Sequence, residues 1–383
     1  MLGFRFDSLQ LPAHAEETRQ RVRAFLDKER EAGTFAPHRC SWNTFDPAFS
    51  KRAGAAGFLG MTWPKKYGGH ELKMLDRFVM TEEMLAAGAP CGAHWIADRQ
   101  SGNQILRHGS ERARELILPR IARGECYTGI GMSEPNSGSD LAAVKTRAMK
   151  VDGGWKINGS KIWTSNAHRA HYLIALVRTE AATEKRHEGM TQFIIDLEAP
   201  GVTVRPIRNM SGEEEFNEVF FQDYFVADDM MVGGLGEGWN MVTGELVFER
   251  SGPDRFLSDY RLLTETIDRV GKNPGERQAV AIGRLVSHLA ALRRMSTSIA
   301  GMMERGENPL VQAALVKDIG TSFEREIPEI ARQLVPVEAS LDDPDDRFAE
   351  TLSATMLYAP AFTLRGGTRE LLRGRIARGL GLR

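Results

Sequence analysis

The 383-residue chain predicts an α+β multidomain protein: an N-terminal helical domain, a middle β-barrel or sandwich domain, and a C-terminal four-helix bundle. Three observations carry this. Apolar residues recur at helical spacing in the first and last thirds, while between roughly Cys126 and Asp228 the rhythm changes to short β-rich runs. The length exceeds the about 250–300 residues at which one hydrophobic core stops growing, so several domains are expected. The order helices, strands, helices also argues against a Rossmann chain, in which strands and helices interleave throughout.

The elements follow in order. Residues 1–125 form the first domain, with apolar stripes at Val22, Phe25 and Leu26 and again at Phe78, Val79, Met84 and Leu85. The segment Trp63 to Gly69 reads as an irregular connection, because proline removes a donor and paired glycines favour a turn. Residues 126–230 form the strand domain, with runs at Trp155–Asn158, Tyr172–Val177, Gln192–Asp196, Val202–Val204 and Val219–Phe221. Asp152-Gly153 fits a tight hairpin, and Pro200-Gly201 and Asn209 to Gly212 mark further reversals. Residues 231–383 open on a glycine hinge, Gly233 to Gly238, that lacks the spacing of a dinucleotide fingerprint. Beyond it Ile282, Leu285, Val286, Leu289 and Leu292 form a helical stripe, Asn308-Pro309 offers a cap with a first-turn proline, and Leu341 to Asp346 reads as a solvated loop.

Composition narrows the function. Fifty Lys plus Arg against 51 Asp plus Glu leave a net charge of -1, which gives no global field for nucleic acid or an anionic membrane. Cys40, Cys91 and Cys126 are odd in number and far apart, so the expectation is reduced thiols in a cytoplasmic protein without a structural zinc. The N-terminus lacks the pattern of a signal peptide, and no stretch reaches the roughly 20 apolar residues needed to span a bilayer.

Two motifs carry chemistry. The run Gly131 to Asp140 combines a Ser-Glu-Pro turn with Gly-Ser-Asp, and Lys161 to Asn166 sets an aromatic plane beside two hydroxyls. A flavin needs neutral hydrogen bonds at its ring edge and backbone donors around its pyrophosphate. Met132 and Ser133 offer an amide and a hydroxyl, while Gly138 and Ser139 let the main chain approach a phosphate oxygen. Trp163 would cover one ring face, with Thr164 and Ser165 bonding near the reactive nitrogen. The bland alternative is a capped loop beside an ordinary core aromatic.

Together with Trp63 to Gly69, the glycine hinge with Trp239 and the tail Gly366 to Glu370, these landmarks resemble the acyl-CoA dehydrogenase family over nearly the whole chain. The resemblance implies FAD as cofactor and an acyl-CoA substrate that loses an α proton to a carboxylate and a β hydride to the flavin. Many relatives carry the base in a Tyr-Glu-Gly-Thr turn near the C-terminus, where this chain has Gly366. A branch resembling isovaleryl- and long-chain-type dehydrogenases places it in a Glu-Arg pair on the first helix after the hinge, matching Glu249-Arg250. The resemblance thus makes Glu249 the base, Arg250 its buttress on the substrate side with Ser139, and the Gly366 amide part of the clamp on the thioester oxygen. Thr368 and Glu370 would lie near the adenine half of the cofactor. Taken alone, Glu-Arg in a helix is usually a solvated face.

The resemblance further implies an electron-transferring flavoprotein as acceptor. Relatives that form homotetramers usually reach the FAD pyrophosphate with an Arg from a neighbouring subunit, and the corresponding stretch here is shortened and broken by proline. Either Arg269, Lys272 or Arg277 substitutes, or a paralogous chain in a heterotetramer does so; a homo-oligomer, dimer or tetramer, stays open beside it. The competing readings are a flavin oxidase or monooxygenase on the same fold and a non-catalytic partner subunit.

Overall fold

The computed structural model describes residues 4–37, 41–181, 184–342 and 346–382, so Cys40 and half of the loop expected at 341–346 lie outside the described residues. In chain order the helices are α1 (Ala13–Glu31), α2 (Pro47–Ala55), α3 (Met74–Ala86), α4 (Gly102–His108), α5 (Glu111–Ala122), α6 (Gly238–Arg250), α7 (Tyr260–Val270), α8 (Glu276–Glu304), α9 (Leu310–Leu334), α10 (Arg347–Phe362) and α11 (Arg369–Gly379). The strands are β1 (Thr128–Gly131), β2 (Arg147–Val151), β3 (Gly154–Ser165), β4 (Tyr172–Arg178), β5 (Met190–Asp196), β6 (Val202–Ile207), β7 (Phe216–Ala227) and β8 (Met231–Val232). The chain divides into two compact units: residues 1–45, 72–91 and 247–383 in one, 46–71 and 92–246 in the other.

The first unit is helical. α9 is its hub, with α7, α8, α10 and α11 packed around it, and α3 lies against α1 and α8. Buried Glu82 on α3 ties three of these helices together, accepting from Arg19 on α1 at 3.1 Å and from Arg293 on α8 at 2.5 and 3.0 Å. The apolar stripe expected on α8 is only partly inward. Leu285 and Leu292 are buried, but Val286 is 46% exposed, because an inward face at 3.6-residue spacing drifts away from that position. At the start of α9 the expected cap also differs: Pro309 itself holds the N-cap position without a side-chain bond, and the Asn308 carbonyl accepts from Leu310 N–H.

The second unit is built on one sheet in the order β6-β7-β3-β2-β4-β5-β8, with β1 parallel beside β4. β4 and β5 are buried on both faces. Leu173, Ala175 and Val177 face one core with Phe193, Ile195 and Trp155, while Ile174 and Ile194 join Ile105, Ile117 and Ile121 beneath α4 and α5. The expected hairpin forms at Asp152-Gly153, where Gly153 takes φ +70° between β2 and β3. β1 and β2 escaped prediction. β1 reads Thr-Gly-Ile-Gly, and glycine is depleted in strands; here Gly129 and Gly131 leave room for Leu173, which a Cβ would meet at 3.2 and 3.0 Å.

Close approach in the helical unit depends on Gly320 of α9, where a Cβ would overlap the Arg255 carbonyl oxygen. Gly320→Ala is expected to lower stability by roughly 1–3 kcal/mol through overpacking. Gly283→Ala on α8, where a Cβ meets nothing within 4 Å, is expected to raise it by about 0.5–1 kcal/mol. Denaturant midpoints of the two variants check the pair, and equal shifts would contradict the packing described.

Candidate functional site

In the second unit the two sequence motifs meet. β1 ends at Gly131 and leads directly into the Ser-Glu-Pro loop, whose Glu134 and Ser137 exchange backbone bonds at 2.9 and 3.0 Å. Ser133 carbonyl accepts from Ile162 N–H at 2.9 Å, and Lys161 Nζ donates to Met132 carbonyl at 3.2 Å and to Glu134 Oε1 at 2.8 Å. Glu134 also accepts from the amides of Lys145 and Thr146 at 2.6 and 2.9 Å. Burial pushes the wholly buried Lys161 ammonium down to about 8 against the pull of Glu134. Burial also pushes the Glu134 carboxyl up, but Lys161 and the amides outweigh it and hold it below its ordinary value.

β3 bulges between Lys161 and Thr164, and Trp163 takes φ +61°, a left-handed conformation that costs an aromatic residue on the order of 1–3 kcal/mol. The bulge turns the indole outward, 56% exposed and edge-on to Phe216 at 6.0 Å, so Trp163 is not a core aromatic. Thr164 points the other way. It is buried, its methyl packs toward Gly129, and its hydroxyl is buried without a partner among the described residues. Ser165 is half-buried with an unengaged hydroxyl. Ser133 is likewise half-buried, and a Cβ on exposed Gly138 would meet nothing within 4 Å. These groups fit a planar ring with a polar edge: an exposed aromatic face, two hydroxyls and an open glycine. Ser139 is exposed beside them, and Arg178, Arg186, Lys145 and Arg147 line an adjoining cleft of about 610 Å³. Arg178 is committed to the carbonyls of Ala142, Val144, Arg186 and Glu188, whereas Lys145 and Arg147 are exposed and carry no ion pair among the described residues.

In the first unit, Glu249 near the end of α6 meets the Gly366-Gly367 turn. A Cβ on Gly366 would lie 2.7 Å from Glu249 Oε1, 3.1 Å from Lys317 Cε and 3.3 Å from Arg255 Nη2. Gly366 and Gly367 have φ +67° and +97°, successive left-handed positions that only glycine adopts without strain. The Gly366 amide has no hydrogen-bond partner among the described residues. Arg250 Nε donates to Gly366 carbonyl at 3.1 Å and Lys317 Nζ to Gly367 carbonyl at 2.7 Å, which fixes the turn from two sides. Arg255 bonds Glu249 twice, Nε to its carbonyl at 2.7 Å and Nη2 to Oε1 at 3.3 Å. Glu249 is therefore held against protein rather than solvent, with 16% of its side chain exposed.

Burial pushes Arg250 down to about 10, and burial with Arg255 nearby pushes Lys317 down to about 7. Neither Lys317 nor Arg255 was anticipated from sequence, since both stand in ordinary helical or turn contexts and only the fold brings them to Glu249. Thr368 occupies the N-cap position of α11 without a side-chain bond to the helix, and Glu370 is exposed in its first turn. Arg269 is paired with Asp346, while Lys272 and Arg277 are exposed without ion partners among the described residues. Cys91 and Cys126 are buried thiols outside any disulfide, the latter pushed up to about 12 by burial. Among the described residues no group of three or more His, Cys, Asp or Glu is placed to hold a metal, and no helix is long and apolar enough to cross a membrane.

Family profiles match the chain along most of its length. The acyl-CoA dehydrogenase N-terminal domain matches residues 12–125, the middle domain 129–224 and the C-terminal domain 236–381. The chain is 33% identical over 384 residues to the acyl-CoA dehydrogenase IpdE1 of Mycobacterium tuberculosis, covering 96% of this chain and 97% of that one. Among solved structures it resembles the Tcur3481-Tcur3483 steroid ACAD, with a TM-score of 0.86, 25% identity and coverage of 98% and 99%. The ChsE4-ChsE5 complex from Mycobacterium tuberculosis gives a TM-score of 0.83 at 25% identity, again covering 98% and 99%.

Lys317 carries a checkable sign. Its folded value of about 7 lies below the ordinary 10.5, so between these pH values the unfolded chain holds a proton the folded one has released, and stability rises with pH. The denaturant midpoint of the wild type relative to Lys317→Met is expected to climb across that window and to be flat below it. A difference that stays constant through the whole range would remove the buried proton equilibrium.

Proposed function

Because the chain belongs to the acyl-CoA dehydrogenase family, whose members bind FAD, we propose that it dehydrogenates an acyl-CoA thioester across the α and β carbons to a trans-2-enoyl-CoA. The observation that supports this most is Glu249 seated where a side chain on Gly366 would otherwise stand, 2.7 Å from that virtual Cβ.

In this reading Glu249 takes the α proton. The C–H bond breaks, its electron pair moves toward the thioester carbonyl, and the unengaged Gly366 amide donates to the oxygen as charge develops there. Arg250 and Lys317 hold the carbonyls of the turn, which keeps that amide aimed, and Arg255 restrains the carboxylate to one position. Arg255 also places positive charge beside the base, so an enolate forming nearby is favoured electrostatically. Bound FAD supplies the acceptor for the β hydride. Trp163, Thr164, Ser165, Ser133, Met132, Gly138 and Ser139 would hold it, with Thr368 and Glu370 toward its adenine.

The cleft with Lys145 and Arg147 suits the phosphates of the CoA moiety, since both cations are unspent, and Arg186, which also lines it, bonds Asp140 at 2.7 Å. Steroid-bearing thioesters belong in any substrate screen, because a similar solved structure is described as a steroid ACAD. Electron-transferring flavoprotein is the proposed acceptor. Similar structures described by pairs of chains also favour a heteromeric assembly, consistent with Arg269 being engaged within its own chain.

Glu249→Gln is expected to slow anaerobic flavin bleaching by an acyl-CoA roughly 10²–10⁴-fold, the range for loss of a general base, without loss of bound flavin. Bleaching at the wild-type rate would sink the assignment, and oxygen consumption without an added acceptor would favour an oxidase. Replacing Lys145 and Arg147 together by Ala is expected to raise KM about tenfold for CoA thioesters and less than twofold for phosphate-free pantetheine thioesters. An equal rise for both would place the phosphates elsewhere.

A further inference from the structure

Beneath Met132 the second unit buries a row of polar side chains that neither the proton transfer nor the flavin contacts use. Gln100 Nε2 donates to Glu245 Oε1 at 2.5 Å and Gln104 Nε2 to Glu245 Oε2 at 2.7 Å. Gln104 Nε2 also lies 3.5 Å from Gln192 Oε1, and Gln192 Nε2 points to the Met132 sulfur at 3.9 Å. Arg99 Nη2 donates to Gln100 Oε1 at 2.8 Å and closes the outer end. Every member is at least nine-tenths buried: Gln104 is 5% exposed, Gln100 and Arg99 7%, Glu245 8% and Gln192 0%.

Such a row is costly where apolar side chains would pack, because each amide leaves water and must find partners. Gln100 and Gln104 sit four residues apart, the first in a widened π turn, Ala97–Ser101, and the second in α4, so both present their amides to Glu245. Wide turns of this kind are frequent at functional sites. The row is incomplete at one point. Gln104 Oε1 is buried and meets no donor, although the rest of its amide is fixed by Glu245, so the side chain cannot turn round to satisfy it. Next to it, Gln192 Nε2 spends a donor on a sulfur, a weak acceptor.

An unspent acceptor beside a weakly spent donor matches a hydroxyl group, which gives one hydrogen bond and receives another. We infer that Gln104 Oε1 and Gln192 Nε2 form a receptor for a hydroxyl on the acyl portion of the substrate. The inference rests on the dehydrogenase reading and deepens it, since Met132, which caps the row, belongs to the expected flavin edge. Glu245 assists from behind by orienting the Gln104 amide through a charge-assisted bond. A ketone at the same place accepts but does not donate, so it leaves Gln104 Oε1 unmet.

Anaerobic titration of the flavin-loaded protein tests it, with CoA thioesters of graded acyl length, including alicyclic and steroid acyl groups, each as parent, hydroxylated and keto forms. The hydroxylated member of the best-fitting series is expected to bind roughly tenfold to a hundredfold tighter than its parent, with the ketone behind it. In Gln104→Leu and Gln104→Met, both retaining flavin, that advantage is expected to shrink to about twofold or less. Parent and hydroxylated forms binding alike in the wild type, or an advantage undiminished in both variants, overturn the receptor and leave Gln104 a structural residue with a buried water only. If the parents bleach the flavin, the dehydrogenase reading stands through that failure; bleaching by no member of the panel removes both.

Discussion

The space beside Gly366 that a side chain on this residue would need is taken by one carboxylate. Glu249 fills it from α6, three cations surround it, and the turn has lost both side chains to make the approach possible. The backbone records the same constraint, because two consecutive left-handed residues are free of strain only as glycine. The fold of the helical unit serves this point: Gly320 lets α9 close on the turn after α6, and that brings Lys317 beside the acid.

The second unit solves a comparable problem with a charge. Lys161 and Glu134 are far enough from water that neither is comfortable alone, yet together they fasten the Ser-Glu-Pro loop to β3. The loop residues that face outward are left free by this arrangement, since the bonds that hold the loop come from its inward members. Rigidity behind and unspent groups in front are what a binding edge requires.

Much of this was legible in the sequence, for physical reasons that differ by element. Long helices with a 3.6-residue repeat announced themselves, and β4 and β5 did so as continuous apolar runs. The glycine-rich β1 did not, because its residues are chosen for what Leu173 needs rather than for strand propensity. Val286 was misassigned inward since a stripe does not mark its own edges. Glu249 and Gly366 are legible as a pair, because a glycine stands where the motif would carry its acid and one acid stands on α6 instead. Lys317, Arg255 and Gln104 carry no such mark: a lysine, an arginine and a glutamine in helices or turns look like solvated surface until the fold buries them. Thr164 and Ser165 read as equivalent hydroxyls, and only the bulge at Trp163 separates one that is sealed inside from one that is not.

The same bulge gives the molecule an optical property. Of its six tryptophans, Trp63, Trp95 and Trp155 are buried, Trp42 and Trp239 are partly covered, and Trp163 alone is exposed. Its indole emission is therefore the red-shifted component of the fluorescence, and it is the component that stacking or energy transfer to a bound chromophore extinguishes first. Occupancy of the expected flavin face is thus written into the intrinsic spectrum of the unlabelled chain.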